Sequence, residues 1–277
     1  MPMVDFNKLT TELFPYAYNI LGSVADSEDV VQDVLIKFNS QNDAEIASPK
    51  AYLIKAVIHR AINLRKKNER VRSQHIQLPE PLVTNSAERK IETEEILSYS
   101  MLVLLDALNA KEKGVFLLKE VFDYTHEETG EVLAITVDNS RQLLARAKKK
   151  LKRPKPALTR TDITYLKQYV ESIRKGDVKS LEAMLSHDIR MLADGGQKLK
   201  VVAEQTVGIA DTLKLIIYLY EFYQKDFTIR IVEINHQPAL LFYKNSELIN
   251  CQVFACSPEG QIDAIYSVVD PDKLIRI

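Results

Sequence analysis

The chain has no tryptophan, only two cysteines, and a formal net charge of -1 over 277 residues. Each scarcity removes a class of protein. Cys251 and Cys256 stand five apart in a strand-like run, so a regular strand points them to opposite faces. A disulfide between them is not expected, and without nearby Cys or His partners they lack metal-site spacing. They read as buried reduced thiols. No stretch of about 18 uninterrupted apolar residues occurs, and the opening MPMVDFNKLTTELF has no cationic segment followed by an apolar run. A cytoplasmic protein with no membrane partner is expected. Near-zero net charge means that whole-chain electrostatics points to neither DNA nor membrane, and charge must be read locally. What the chain does have is 46% apolar residues, enough for more than one core and two or three modules.

Charge is concentrated in a few places. Arg141 to Lys155 holds eight cations (Arg141, Arg146, Lys148, Lys149, Lys150, Lys152, Arg153, Lys155) and no acid. Lys55 to Arg72 holds seven (Lys55, Arg60, Arg65, Lys66, Lys67, Arg70, Arg72) against the single acid Glu69. Residues 26 to 33 are acidic instead, with Asp26, Glu28, Asp29 and Asp33. Cation runs confined to two stretches of a neutral chain are a credible DNA-backbone footprint.

Residues 9 to 75 have helical periodicity: Leu13, Tyr16, Ala17 and Ile20, then Val30, Val31, Val34, Leu35 and Phe38. Gly22 and Ser23 separate these two helices. After a polar loop at 39–48, Pro49 sits where a helix can start, and Tyr52, Leu53, Ala56, Val57, Ile58, Ala61, Ile62 and Leu64 form a broad apolar stripe. Pro79 and Pro81 then break the pattern, marking 76–90 as a linker. Helical periodicity resumes over Ile91 to Leu108 and again over Ala110 to Phe122.

Thr125-His-Glu-Glu128 is a capping-box pattern that starts a short helix ending near Leu133, and Thr136 can cap the next helix. In that second helix Ser140, Leu144, Ala147 and Leu151 mark a packing face, with Asp138, Asn139, Arg141, Gln142 and Arg146 on the opposite side. Two helices joined by the tight Ala134-Ile135 turn, the second ending in cations, fit a helix-turn-helix. Arg141, Gln142 and Asn139 can reach base edges, while Lys148 to Lys150 and Lys152 suit phosphates. The bland alternative is a lysine-rich helix end that only complements the helix dipole.

Residues 9 to 153 resemble an extracytoplasmic-function sigma factor, the small two-domain specificity subunit of bacterial RNA polymerase. The resemblance rests on DSEDVVQDVLIKF (26–38), SPKAYLIKAVIHRAINLRKKN (48–68) and LNAKEKGVFLLKEVFDYTHEETGEVLAITVDNSRQLLARAKKKL (108–151), in that order and spacing. It implies that Asp29, Gln32 and Asp33 dock on the polymerase core. It also implies that Lys55, His59, Arg60, Asn63, Arg65 and Lys66 face the minus-ten promoter element, and that the 139–146 face with Asp138 and Lys149 reads minus-thirty-five. Three positions depart from the family. Tyr52 stands where relatives commonly carry Trp, with core packing as its alternative role. Ala134 occupies a turn position usually held by Gly, and Gly130 one where Ala is common; Ala adopts the turn geometry only at some cost.

Beyond residue 155, KRPKPALTR (152–160) reads as a hinge, followed by helices over Ile163 to Arg174, Val178 to Leu185 and Ile209 to Tyr223. Phe227 to Glu233, Ala239 to Tyr243, Leu248 to Ala255 and Ile262 to Val269 are strand-like, separated by turns such as Lys244-Asn245-Ser246 and Pro258-Glu259-Gly260. Helices followed by an antiparallel meander argue for an α+β domain. This part resembles a SnoaL-like domain of the NTF2 superfamily. The motifs Leu78-Pro79-Glu80-Pro81, Asp194-Gly195-Gly196-Gln197-Lys198 and Asp270-Pro271-Asp272-Lys273-Leu274 resemble the WLPEP, DGGGK and NPDKL motifs of the sigma subgroup with such an extension. Gln77, Gln197 and Asp270 replace the Trp, Gly and Asn.

The expected architecture is therefore multidomain: two all-α sigma domains (1–75 and 91–156), a linker (76–90), and an α+β NTF2-like cone (157–277). The resemblance implies that the three motifs make a regulatory contact; read locally, 194–196 is a turn and 79–81 a stiff spacer. The expected partners are RNA polymerase core and promoter DNA, with a small-molecule or protein effector at the extension as a further option. No cofactor, metal or catalytic activity is expected. The alternative from another class is a helix-turn-helix regulator fused to an isomerase- or cyclase-type domain, for which Asp194, His187, His236 and Tyr266 are the polar candidates.

Overall fold

The computed structural model describes residues 6–40, 48–69, 76–84, 93–151 and 163–277. The proposed hinge 152–160, with Lys152, Arg153 and Lys155, lies outside these residues, as do Arg70, Arg72 and linker positions 85–90. The described chain divides into two units. The first holds 6–40, 48–69, 93–97 and 102–151, and the second holds 76–84, 98–101 and 163–277.

The first unit is all helix. α1 (Phe6–Leu21), α2 (Val24–Ser40) and α3 (Pro49–Glu69) pack on one another through the apolar positions expected from their periodicity. Ala17, Val31, Leu53, Val57 and Ala61 are fully buried. Asn19, also fully buried, is satisfied from both ends of its amide: it donates to the Glu95 carbonyl (2.8 Å) and accepts from the Leu97 N–H (3.1 Å). A buried amide left unpaired costs about 1–3 kcal/mol, so this pair of bonds fixes 95–97 against α1. Of the long helix expected over 91–108, residues 91 and 92 lie outside the described residues, and the rest forms a 3-10 turn at 93–95 and α4 (Tyr99–Leu105). α5 (Ala110–Glu120), α6 (His126–Leu133) and α7 (Val137–Lys150) complete the unit.

The second unit is an α+β fold. α8 (Ile163–Lys175), α9 (Val178–Met184) and α10 (Ile209–Leu219) lie against one sheet of β1 (Leu185–Asp194), β2 (Gln205–Val207), β3 (Thr228–Ile234), β4 (Gln237–Lys244), β5 (Glu247–Cys256) and β6 (Ile262–Val268), with α11 (Pro271–Leu274) last. Strand order is β2-β1-β6-β5-β4-β3. The meander β3 to β6 is antiparallel as expected, but β1 was not legible as a strand, and it pairs parallel with β6. Leu166, Tyr169, Met191, Phe242, Phe254 and Ile265 form the core between helices and sheet. Asn235-His236 and Asn245-Ser246 turn the hairpins with positive φ at both residues, as a two-residue hairpin demands. Cys251 and Cys256 are both free and buried, and Cys256 belongs to the core under the helices.

Candidate functional site

Capping fixes the helix-turn-helix. Asn109 caps α5 and Thr125 caps α6, each as a full capping box with Glu112 and Glu128, and the Thr136 hydroxyl accepts from the Asn139 N–H (3.2 Å) to start α7. Between α6 and α7 the chain turns at Ala134, whose φ of 51 and ψ of 50 are left-handed. Gly130 is what allows this tight approach, since a Cβ there would lie 2.8 Å from the Ile135 carbonyl oxygen. α7 buries Ser140, Leu143, Leu144 and Ala147 and exposes Asp138, Arg141, Gln142, Arg146 and Lys149; Asn139 is half-buried. Arg141 pairs with Asp138 at 3.2 Å on the open surface, a bond weak enough to exchange for another partner. At the entry to α6, His126 Nδ1 meets the Ser140 hydroxyl at 2.9 Å. Desolvation, then the cations Lys119, Arg141 and Lys148, hold its imidazole below the ordinary histidine range.

α3 presents a second polar stripe. Lys55 and Asn63 are exposed, and His59, Arg60 and Lys66 are half-buried. Arg60 pairs with Asp33, and His59 Nε2 meets the Val132 carbonyl. On α2, Asp29 and Gln32 are exposed on one face, and Ile36, one turn further, is 66% exposed.

The linker is built into the second unit. The Leu78 N–H donates to Asp194 Oδ2 at 2.7 Å, and the Lys273 ammonium donates both to that oxygen and to the Leu78 carbonyl, each at 2.6 Å. The other Asp194 oxygen accepts from the Gly196 N–H (2.8 Å). Asp194 is 1% exposed, so a buried carboxylate, an ammonium and the backbone N–H and carbonyl of one linker residue satisfy one another. Around this clasp the Tyr99 hydroxyl donates to the Pro79 carbonyl (2.6 Å), and Arg276 stands 3.7 Å from the buried Glu80 carboxylate. Val83 bridges Ile234 of β3, and Leu82 exchanges bonds with Asn235. Asp270 caps α11 through the Asp272 N–H (3.1 Å), and Lys198 pairs with Asp272 at the surface.

Comparison with known proteins bears directly on these elements. The Sigma-70 region 2 model matches residues 6–71 and the Sigma-70 region 4 model residues 99–151. The extracytoplasmic-function sigma factor SigJ of Mycobacterium tuberculosis is 26% identical over 80% of this chain and 74% of its own length. The probable sigma factor SigI of the same organism is 22% identical over 95% of this chain and 91% of its own. The chain belongs to the extracytoplasmic-function sigma factors. The crystal structure of the Mycobacterium tuberculosis SigJ shares this sigma factor's fold, with a TM-score of 0.78 over 98% of this chain and 97% of that one, at 21% identity.

Several expected roles change in the structure of this sigma factor. Arg65 does not face outward: it is 5% exposed, bonded to the Ile20 carbonyl (3.2 Å), Asp106 (3.2 Å) and the Leu108 carbonyl (3.5 Å), with Glu69 at 3.3 Å. Its position on the buried side of α3 explains this, because it follows Ile58, Ala61 and Ile62 on the apolar stripe. Lys148 and Lys150 are engaged by Glu120 (2.8 Å) and Glu112 (2.7 Å), leaving Lys149 the cation of that trio with no ion pair among the described residues. Tyr52 is 40% exposed and tilted against Phe38 at 6.0 Å, so it sits at the surface rather than in the core. Asp194, His187, His236 and Tyr266 do not form an acid–base group. Asp194 is held by Lys273, His187 is exposed, His236 lies by Glu233 (3.9 Å), and Tyr266 packs on Tyr99 (5.5 Å). Ile36 was missed in the sequence because it reads as one more apolar position of α2; only its i+7 spacing from Asp29 marks it.

Proposed function

We propose that the exposed face of α7 (Asp138, Asn139, Arg141, Gln142, Arg146, Lys149) reads the minus-thirty-five element and that Lys55, His59, Arg60, Asn63 and Lys66 of α3 engage minus-ten. Asp29 and Gln32, joined by Ile36, dock on the polymerase core, with Asp33 holding Arg60. The clasp regulates this activity from within the chain. The observation that carries the last step is the Asp194 carboxylate, closed on the linker peptide of Leu78 by Lys273. Because the linker joins the two promoter-reading regions, clasping it limits how those regions can be placed, and tethering makes even a weak contact effective. An effector of the extension acts, in this reading, by binding the clasped and unclasped chain with different affinity.

The test is run-off transcription with core polymerase over a promoter library, comparing the full chain, a chain ending near residue 160, and Lys273→Ala. Altered promoter use in both variants is expected; unchanged promoter binding and transcription in both removes the regulatory reading. Charge reversal at Arg141 and Arg146 checks the DNA face independently. Each lost phosphate contact lowers the salt dependence of binding by about one unit in the log–log slope.

A further inference from the structure

α10 has two faces, and the fold uses only one of them. Leu213, Leu215 and Ile216 belong to the core against the sheet, and Gln224 is buried in the π turn Tyr220–Gln224 that continues the helix. Lys214, Tyr218, Phe222 and Asp226 are all exposed. Their four-residue spacing makes one ridge, the kind of row that a second helix packs against.

In a plain α-helix such a row drifts round the axis, because each four-residue step overshoots the 3.6-residue turn by about 40°. The π turn, closed by wider i→i+5 bonds, takes up that overshoot between Tyr218 and Asp226. The row therefore runs nearly along the axis, and a copy of it packs nearly antiparallel.

Three aromatic rings crown the ridge. Tyr218 stands 4.7 Å from Phe222 and 6.0 Å from Tyr223, centroid to centroid, and the three are 40%, 67% and 54% exposed. At ~150–250 Å² for a buried aromatic, they leave roughly 300 Å² of contiguous apolar surface. Patches of this size on soluble proteins are often functional.

Charge decides between occupants. The exposed charges of this segment are Lys214 and Lys225 against Asp211, Glu221 and Asp226. A strip with more acids than cations repels phosphate, which disfavours nucleic acid. The same strip is complementary to itself. Tyr218 and Phe222 stand two residues either side of Tyr220, and Lys214 and Asp226 six residues either side. Turned about a two-fold axis at Tyr220, Tyr218 meets Phe222 of a second copy and Lys214 meets Asp226 of that copy, each contact occurring twice.

We propose that this ridge is a self-association surface through which two copies of the chain pair. The aromatics cover less than half of the ~800 Å² per partner that a stable interface buries, so the dimer is weak, with a Kd on the order of micromolar. The assignment is independent of the promoter reading above.

Sedimentation velocity of the full chain tests it. Between roughly 1 and 200 μM the wild-type chain is expected to pass from monomer to dimer. A chain that stays monomeric throughout overturns the proposal, and so does one that dimerises equally well with Phe222→Asp. Loss of core polymerase or DNA binding in Phe222→Asp, from a wild-type chain that is monomeric at every concentration, assigns the ridge to another occupant and likewise overturns it. Lys214→Glu and Asp226→Lys supply a second measurement that altered folding cannot imitate. Each alone sets like charges together twice and is expected to raise Kd about ten-fold. Mixed, the two variants restore both opposite-charge pairs and are expected to form a heterodimer at the wild-type affinity. A mixture no tighter than either variant alone overturns the two-fold pairing.

Discussion

The exchange of Gly and Ala within the helix-turn-helix makes a sharp prediction. Ala134 closes α6 in the left-handed region, which a Cβ disfavours by about 1–2 kcal/mol, whereas glycine enters it freely. Ala134→Gly removes that strain but adds backbone freedom to the unfolded chain, worth ~0.5–1 kcal/mol against folding. The net expectation is a gain of about 0.5–1 kcal/mol confined to the turn. Global melting is the wrong assay, because a chain with two units need not unfold in one step. Amide hydrogen exchange at Ile135 is the right one, since its N–H donates to the Gly130 carbonyl at 3.0 Å across this turn. Exchange there is expected to slow about two- to five-fold.

Gly130→Ala should do the opposite, because its Cβ would land 2.8 Å from the Ile135 carbonyl, a backbone atom that cannot rotate aside. Overpacking of this kind costs about 1–3 kcal/mol. With Gly at 134 the turn gains room to shift, so the double variant should lose less than the two single effects predict. Faster exchange in Ala134→Gly, or strict additivity of the pair, refutes the account of the turn.

Asp194→Ala should strip the half-buried Lys273 of its partner and leave the Leu78 N–H unpaired, destabilising the second unit by about 3 kcal/mol, the low end for a broken buried pair because Lys273 is 23% exposed. Urea unfolding followed by near-ultraviolet circular dichroism measures it, and a loss below ~1 kcal/mol counts against the clasp. DNA phosphates brought near His126 should offset the cations that depress its proton affinity, so binding takes up a proton and promoter affinity rises as pH falls through the histidine range. His126→Gln should flatten that dependence; an unchanged slope excludes His126 as its source. Burial pushes the Cys251 thiol well above its ordinary range, so a disulfide-exchange reagent should label neither cysteine in the native chain and both in guanidinium.

What could be read from the sequence was local. The capping box at Thr125 and the N-cap at Thr136 are short patterns with one physical outcome, and both helix starts fall where they indicate. The buried and exposed faces of α7 follow from its periodicity alone. β1 escaped because LSHDIRMLAD alternates only over its second half, and its pairing with β6 lies some seventy residues away in the chain. Arg65 escaped for a related reason. A cation in a basic run looks solvent-facing until the buried acceptors appear, and Asp106 and the Leu108 carbonyl come from another region.

The three exchanges within the linker and extension motifs follow from the same geometry. Gln77 is exposed beside the clasp, and the clasp bonds only the backbone of its neighbour Leu78, so a Trp at 77 is not needed for those bonds. Gln197 is exposed in its turn, whereas a Cβ at Gly195 would lie 2.2 Å from the Leu199 carbonyl oxygen, and one at Gly196, where φ is +63, 2.3 Å from Asp270 Oδ2. Asp270 caps α11 through a side-chain oxygen, a task Asn performs equally well. Two of the positions that differ therefore lie where side chains are exposed, and the third is one where Asn and Asp cap alike. Asp194, Gly195, Gly196 and Lys273, which supply charge or close backbone approach, are among those that stand unchanged. Substitution at Gln197 should accordingly leave linker binding intact, while Gly196→Ala should disrupt it at both Asp194 and Asp270.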